Sequence, residues 1–188
     1  MTRSKGARMH RRALIGLGLA GLCGLGLAAP SWAAGAPSFR FDSIDGGVLD
    51  TAQWRGRPVL VVNTASMCGF ARQFDALQDL QDRYAKAGLI VLAVPSDDFR
   101  QELATEAEVK DFCAVNFDLT LAMTGITRVL GAEAHPFYRW MAEDYGFAPG
   151  WNFNKVLLGR DGMPRGTWGA PVDPLSARLT TAIEVALR

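Results

Sequence analysis

One thiol stands where a nucleophile would be delivered. The run Val59-Leu60-Val61-Val62 is continuous and rich in β-branched residues, the pattern of a strand covered on both faces. It stops in the small polar stretch Asn63-Thr64-Ala65-Ser66-Met67-Cys68-Gly69. From Phe70 the apolar positions step by three and four through Phe74, Leu77, Leu80 and Tyr84, which is one face of a helix over 70–86. Cys68 is thereby expected between the end of a central strand and the start of a helix. There, free backbone N–H groups and the positive end of the helix dipole favour a thiolate over a thiol. The alternative is a small buried hydrophobe, the commoner fate of a lone cysteine.

The rest of the chain says how many thiols accompany it. Arg3, Lys5, Arg8, Arg11 and Arg12 precede an uncharged stretch over 13–29, and Ser31-Trp32-Ala33 offers the small residues a signal peptidase reads. Residues 1–33 are read as a cleaved export signal, leaving one domain over 34–188 in an exported, periplasmic protein. His10-Arg11-Arg12-Ala13-Leu14 resembles a twin-arginine signal. A retained membrane anchor is the competing reading, but the stretch is short and diluted by Gly16, Gly18, Gly21, Gly24 and Gly26. Cys23 lies inside the discarded segment, so Cys68 and Cys113 remain. For an exported protein with two cysteines the default is a structural disulfide. Twenty Lys plus Arg nearly balance nineteen Asp plus Glu, and the signal removes several of the positive charges. The domain should be mildly acidic, and no basic run after Arg12 points to a nucleic-acid partner.

Read coarsely, the elements alternate. Segments 39–44 and 47–49 around Asp45-Gly46 suggest a hairpin. The strand at Val59, the helix closed by Gly88 and a second buried run, Leu89-Ile90-Val91-Leu92-Ala93-Val94, make a βαβ unit with a right-handed crossover. A charged helix over 105–116 turns Val109 and Phe112 inward. Further segments are a strand at 119–123, a helix at 134–145, a strand at 152–158 and a strand at 165–168. A last helix over 174–187 has Asp173 as N-cap and Pro174 at its first position. The fold class is α/β, a central mixed β-sheet flanked by helices.

Asn63-Thr64-Ala65-Ser66-Met67-Cys68-Gly69-Phe70 is similar to the peroxidatic motif of glutathione peroxidases, and Trp151-Asn152-Phe153 with Lys155 resembles their second signature. Ala134-His135-Pro136-Phe137-Tyr138 and the spacing of most elements extend the likeness over nearly all of the domain. The resemblance implies a thioredoxin-like fold and reduction of hydrogen peroxide or organic and lipid hydroperoxides. Cys68 takes the place of the selenocysteine of some animal members. No prosthetic cofactor or metal is implied; the co-substrate is a thiol reductant, a thioredoxin-like protein or glutathione. Cys113, 45 residues beyond Cys68, lies where thioredoxin-dependent members keep a resolving cysteine. The short segment between Phe137 and Trp151 lacks the insertion of tetrameric relatives, which implies a monomer with an open cleft. Phe70, Phe147 and Trp151 are candidates for its rim.

The chemistry asks for donors. A thiolate that attacks the terminal peroxide oxygen expels an alkoxide or hydroxide, and neutral hydrogen-bond donors stabilise that charge. Trp151 offers an indole N–H and Asn152 an amide NH₂; as structural residues they would be a core aromatic and a strand-end cap. The family's remaining active-site member is a glutamine, and here Asp98 of Val94-Pro95-Ser96-Asp97-Asp98-Phe99 falls on its position. A carboxylate accepts but does not donate, and an anion there would work against the thiolate. Asp98 would have to be protonated, act as a base, or point away. Two other functions share the fold. A thiol-disulfide oxidoreductase usually needs a Cys-x-x-Cys pair, which Cys68 lacks. A redox sensor or binding protein would use Cys68 and Cys113 as a switch without turnover.

Overall fold

The computed structural model describes residues 35–188. The expected export signal and Cys23 lie outside them. A two-stranded antiparallel hairpin, β1 (Arg40–Asp42) and β2 (Val48–Asp50), precedes the main sheet. That sheet is built from β3 (Val59–Thr64), β4 (Ile90–Pro95), β5 (Ala122–Met123), β6 (Lys155–Leu158) and β7 (Pro164–Trp168) in the order β5-β4-β3-β6-β7. β3, β4 and β5 run parallel; β6 and β7 run antiparallel to their neighbours. The central strand is β3, as its unbroken apolar run requires, and every residue of β3 and β4 is buried.

Side-chain alternation divides the core in two. Leu60, Val62, Val91, Ala93 and Leu157 face α1 (Gln73–Tyr84), α2 (Glu106–Phe117) and α4 (Ala177–Ala186). Val59, Val61, Ile90, Leu92, Val94, Val156 and Leu158 face α3 (Pro136–Tyr145) and Phe41 of the hairpin.

Several expected boundaries shift, each for a local reason. α1 begins at Gln73 rather than Phe70. Successive short turns, Ala71 N–H to Cys68 O at 2.9 Å and Gln73 N–H to Phe70 O at 2.8 Å, occupy the chain first. At its other end a short 3₁₀ turn, Ala85–Ala87, leads into Gly88 at φ 112°, the left-handed stop expected of that glycine. α4 begins at Ala177 because Asp173 accepts Leu175 N–H at 2.7 Å in a separate turn, so Asp173 and Pro174 precede the helix. β5 shrinks to two residues, and β6 starts at Lys155 because residues 151–154 form a turn of their own.

Candidate active site

Cys68 ends up 5% exposed in the turn after β3. The first N–H groups of α1, on Gln73 and Phe74, are bonded to Phe70 O at 2.8 Å and Ala71 O at 3.0 Å rather than to the sulfur. The Phe70 N–H reaches Cys68 Sγ instead, at 3.5 Å, a backbone donor aimed at the sulfur. The two preceding residues are clamped from the segment after β4. Met67 N–H donates to Gln101 O at 2.9 Å, and Ser66 N–H donates to Glu102 Oε1 at 2.9 Å. Cys68 and Cys113 are both free thiols, in the same half of the core.

The Trp151-Asn152 turn is brought to this end of the sheet by Asn63, a buried polar residue on β3. Its Nδ2 donates to Trp151 O at 3.0 Å, and its Oδ1 accepts Asn154 N–H at 3.1 Å. The Asn63 carbonyl takes Phe153 N–H, which holds Phe153 at φ 61°, a left-handed conformation rare outside glycine. The Phe153 ring is fully buried, edge-on to Phe74 at 5.2 Å. Such strain persists only where the surroundings impose it. Trp151 stays 41% exposed and packs on Phe99 at 5.3 Å, while Asn152 is completely buried. Phe99 and Trp151 form an apolar pair beside the Asn152 turn; Phe99 and Phe147 both pack against the half of the core opposite Cys68, while Phe70 packs against the half that holds it.

Asp98 is turned to another task. Its Oδ2 accepts the N–H groups of Val129 at 2.6 Å and Leu130 at 2.9 Å, so it ties two loops together. The side chain that meets Asn152 is Gln101, whose Oε1 accepts from Asn152 Nδ2 at 3.1 Å. Sequence reasoning passed over Gln101 because it lies three residues beyond the expected position. Glu102 was missed as well. Burial raises its carboxyl, while the N–H groups of Ser66 and Leu103 pull it down. The nearby Ser66 hydroxyl pulls in the same direction, though outside hydrogen-bond geometry.

Five buried side-chain polar atoms lack a partner among the described residues. Four of them, Thr64 Oγ1, Ser66 Oγ, Glu102 Oε2 and Asn152 Oδ1, belong to the turn before Cys68 or to the groups around it. Unsatisfied polar atoms concentrate where function requires them, which sets this end of the sheet apart from the rest of the core.

Lys155, known from the sequence only as part of a motif, is fully buried on β6. Its Nζ donates to Gln73 Oε1 at 2.7 Å and to Phe153 O at 2.8 Å, joining the start of α1 to the Trp151 turn. Burial lowers its pKa to about 8, with Asp173 pulling the other way. A lone lysine in the apolar stretch Lys155-Val156-Leu157-Leu158 was the available signal. Cys113 lies on α2, 2% exposed; burial and then the Glu102 charge push its thiol up to about 12. It is a protonated, unreactive thiol where it sits. Among the described residues no group of three or more His, Cys, Asp or Glu side chains stands together as metal ligands would.

A five-stranded sheet of this order, with a cysteine in the turn after its central strand and buried amides beside it, defines a thiol-dependent oxidoreductase on a thioredoxin-like fold. Residues 38–142 match the family model described as glutathione peroxidase. A glutathione peroxidase of Lactococcus lactis subsp. cremoris is 37% identical over 125 residues, 64% of this chain and 80% of the relative. The hydroperoxy fatty acid reductase gpx1 of Synechocystis is 31% identical over 150 residues, 72% of this chain and 87% of the relative. The crystal structure of T. cruzi GPX1 superposes with a TM-score of 0.60 at 26% identity, covering 79% of this chain and 94% of the other. The chain belongs to the glutathione peroxidase family. It is a thiol peroxidase: a hydroperoxide is its substrate and a thiol its reductant.

Proposed function

We propose that Cys68 is the peroxidatic cysteine of this enzyme and Cys113 its resolving cysteine. The observation that carries the reading is the turn itself. A cysteine receives a backbone N–H at its sulfur while Ser66 and Met67 beside it are clamped by Glu102 and Gln101. The Cys68 thiolate attacks the terminal peroxide oxygen. The S–O bond forms as the O–O bond breaks, leaving sulfenic acid on Cys68 and an alkoxide or hydroxide that takes up a proton. The Trp151 indole N–H and the Asn152 amide are the neutral donors for that charge. The thiol of Cys113 then attacks the sulfenic sulfur, releasing water and forming a Cys68–Cys113 disulfide, before further oxidation of Cys68 can occur. A dithiol reductant returns both thiols and is itself oxidised to a disulfide.

The seating of α2 supports the resolving step. Of its twelve residues only Val109 and Cys113 are fully buried, with Phe112 and Phe117 half-buried against the same core, so a limited face has to leave the core to bring its sulfur to Cys68. The half-exposed Phe99–Trp151 pair supports hydroperoxides with an apolar tail, including those of lipids, and a cyanobacterial relative carries the name hydroperoxy fatty acid reductase. The short 146–154 connection supports a monomer. The basic and then apolar sequence of 1–33 supports export to the periplasm. There a membrane-fed thioredoxin-like protein is the reductant in keeping with an oxidising compartment.

The test is to add one equivalent of hydrogen peroxide to the reduced protein, quench thiols at intervals and map them by mass spectrometry. Rapid loss of the Cys68 thiol followed by a Cys68–Cys113 disulfide is expected. Sulfenic acid that persists at Cys68 would remove Cys113 from the cycle and favour glutathione. Reaction at the pace of an ordinary free thiol would overturn the assignment of Cys68.

A further inference from the structure

We propose that Gln101 supplies the side-chain amide donor of this site, in the role that the sequence position of Asp98 suggested for that residue. The inference rests on Cys68 being the peroxidatic cysteine. Gln101 holds one wall of the site with its backbone and the other with its side chain. Its main-chain carbonyl accepts the N–H of Met67, next to Cys68, and its Oε1 accepts from Asn152. Both bonds use acceptors. The Nε2 group makes no hydrogen bond to any described residue, which leaves two N–H donors at the junction of the Cys68 and Asn152 turns. Asn152 Oδ1, completely buried beside it, is likewise without a partner.

The backbone explains how a residue three places late arrives there. Arg100 adopts φ 56°, a left-handed conformation costly for a side chain with a Cβ, between Phe99 and Gln101. That reversal lets Phe99 pack on Trp151 while Gln101 bonds Asn152, so consecutive donors of one turn are met by both flanks of another. Asp98 cannot supply the donor half of this role. Its Oδ2 is drawn to the Val129 and Leu130 N–H groups, and a carboxylate has no proton to give. A neutral amide stabilises the departing oxygen without repelling the thiolate.

The test compares Gln101→Glu with Asp98→Asn, reading the rate at which Cys68 is oxidised by hydrogen peroxide across pH. Gln101→Glu keeps the acceptor for Asn152 and the main-chain bond to Met67 but loses the donors and adds a charge beside Glu102. Oxidation of Cys68 is expected to slow about 10²-fold, the usual loss for one such donor. Relative to wild type at the same pH, the rate should recover toward acidic pH, where the new carboxyl is protonated. Asp98→Asn retains an acceptor for Val129 and Leu130 and should stay within about twofold of wild type, the scale of a charge change away from the reacting atoms. Thermal unfolding of each variant separates misfolding from chemistry. Gln101→Met, which lacks the donor and cannot titrate, should be slow at every pH; a folded Gln101→Met that oxidises Cys68 at the wild-type rate would overturn the proposal. Wild-type rates in Gln101→Glu, or an altered pH profile in Asp98→Asn alone, would overturn it too. In all these cases rapid oxidation of wild-type Cys68 keeps the peroxidatic assignment intact; slow wild-type oxidation would overturn both.

Discussion

The two cysteines occupy surroundings of opposite kind. Around Cys68 every neighbouring segment is cross-tied: Asn63 to the 151–154 turn, Gln101 and Glu102 to Met67 and Ser66, Lys155 to the start of α1. α2, which carries Cys113, is well formed but lightly seated. A capping box of Thr105 and Glu108 starts it and Asp118 in a left-handed conformation ends it. Yet Val115 is 83% exposed, and only two residues of the helix are buried. Local hydrogen bonds start and stop α2, while its hold on the core comes from Val109 and Cys113 and from the partly buried Phe112 and Phe117, the latter with its ring 5.2 Å from that of Phe74. The contrast suits the proposed cycle. A peroxide-reducing site has to hold donors still, and a resolving thiol has to travel, since a disulfide needs Cα atoms within about 7 Å.

The severest way to break the contrast is to remove the sulfur itself. Cys68→Ser should abolish peroxide reduction, with a loss of at least about 10³-fold in a coupled turnover assay, because a hydroxyl is un-ionised at neutral pH. Retained turnover would move the chemistry elsewhere. Next comes Asn63→Ala, which removes the side-chain bonds to Trp151 O and the Asn154 N–H and keeps only the main-chain bonds to Phe153 and Asn154. A loss of about 2–4 kcal/mol in urea unfolding is expected for such a buried network, together with slower peroxide reduction through misplaced Trp151 and Asn152.

Cys113 should reveal itself in the alkaline limb of stability. A thiol raised to about 12 from an unfolded value near 9 contributes stability that is complete below pH 9 and is lost as pH climbs toward 12. Lys155, lowered to about 8, acts in the opposite sense: its burial penalty is present below pH 8 and fades as pH rises toward 10.5. The difference between wild type and Cys113→Ser, measured by urea unfolding from pH 8 to 10.5, cancels the lysine. Wild type should lose up to about 1.4 kcal/mol per pH unit more than the variant above pH 9.

Glu102 sharpens the comparison more gently. Burial raises its carboxyl, so its contribution is present below the unfolded value of 4.5 and lost as pH rises through the folded one. Glu102→Gln keeps an acceptor for the Ser66 and Leu103 N–H groups and should match or exceed wild-type stability by about 1 kcal/mol at pH 7. A large destabilisation would mean that its charge, rather than its acceptor, holds the turn. The smallest perturbation is none at all. In hydrogen exchange of the reduced protein, α2 amides should exchange well before those of β3 and β4. Equal protection would remove the basis for a detachable helix.

Much of this arrangement was legible before any coordinates. Unbroken, β-branched apolar runs at Val59 and Ile90 read as strands buried on both faces, and the three-and-four spacing after Phe70 as a helix; together they put Cys68 at the end of the central strand. The residues around Cys68 and Trp151-Asn152 were distinctive enough to carry the family likeness, and residues 38–142 match that family. Boundaries were less legible, because the turn at Cys68 and the turn at Asp173 satisfy their backbone groups locally and postpone the helices that follow.

Residue types and their periodicity were therefore sufficient to determine the α/β class, the central strand and the cysteine at its end, since these follow from burial patterns within a few turns of chain. Which amide meets Asn152 could not be read in that way. Gln101 displaces Asp98 through a left-handed turn at Arg100 and through bonds to residues about 30 and 50 positions away, and such long-range pairings leave no periodic trace. The same holds for Asn63, Glu102 and Lys155. Asn63 and Lys155 stand in the chain only as members of motifs and Glu102 as an ordinary acid, and each acquires its task only when folding buries it against a backbone donor or acceptor that has to be satisfied.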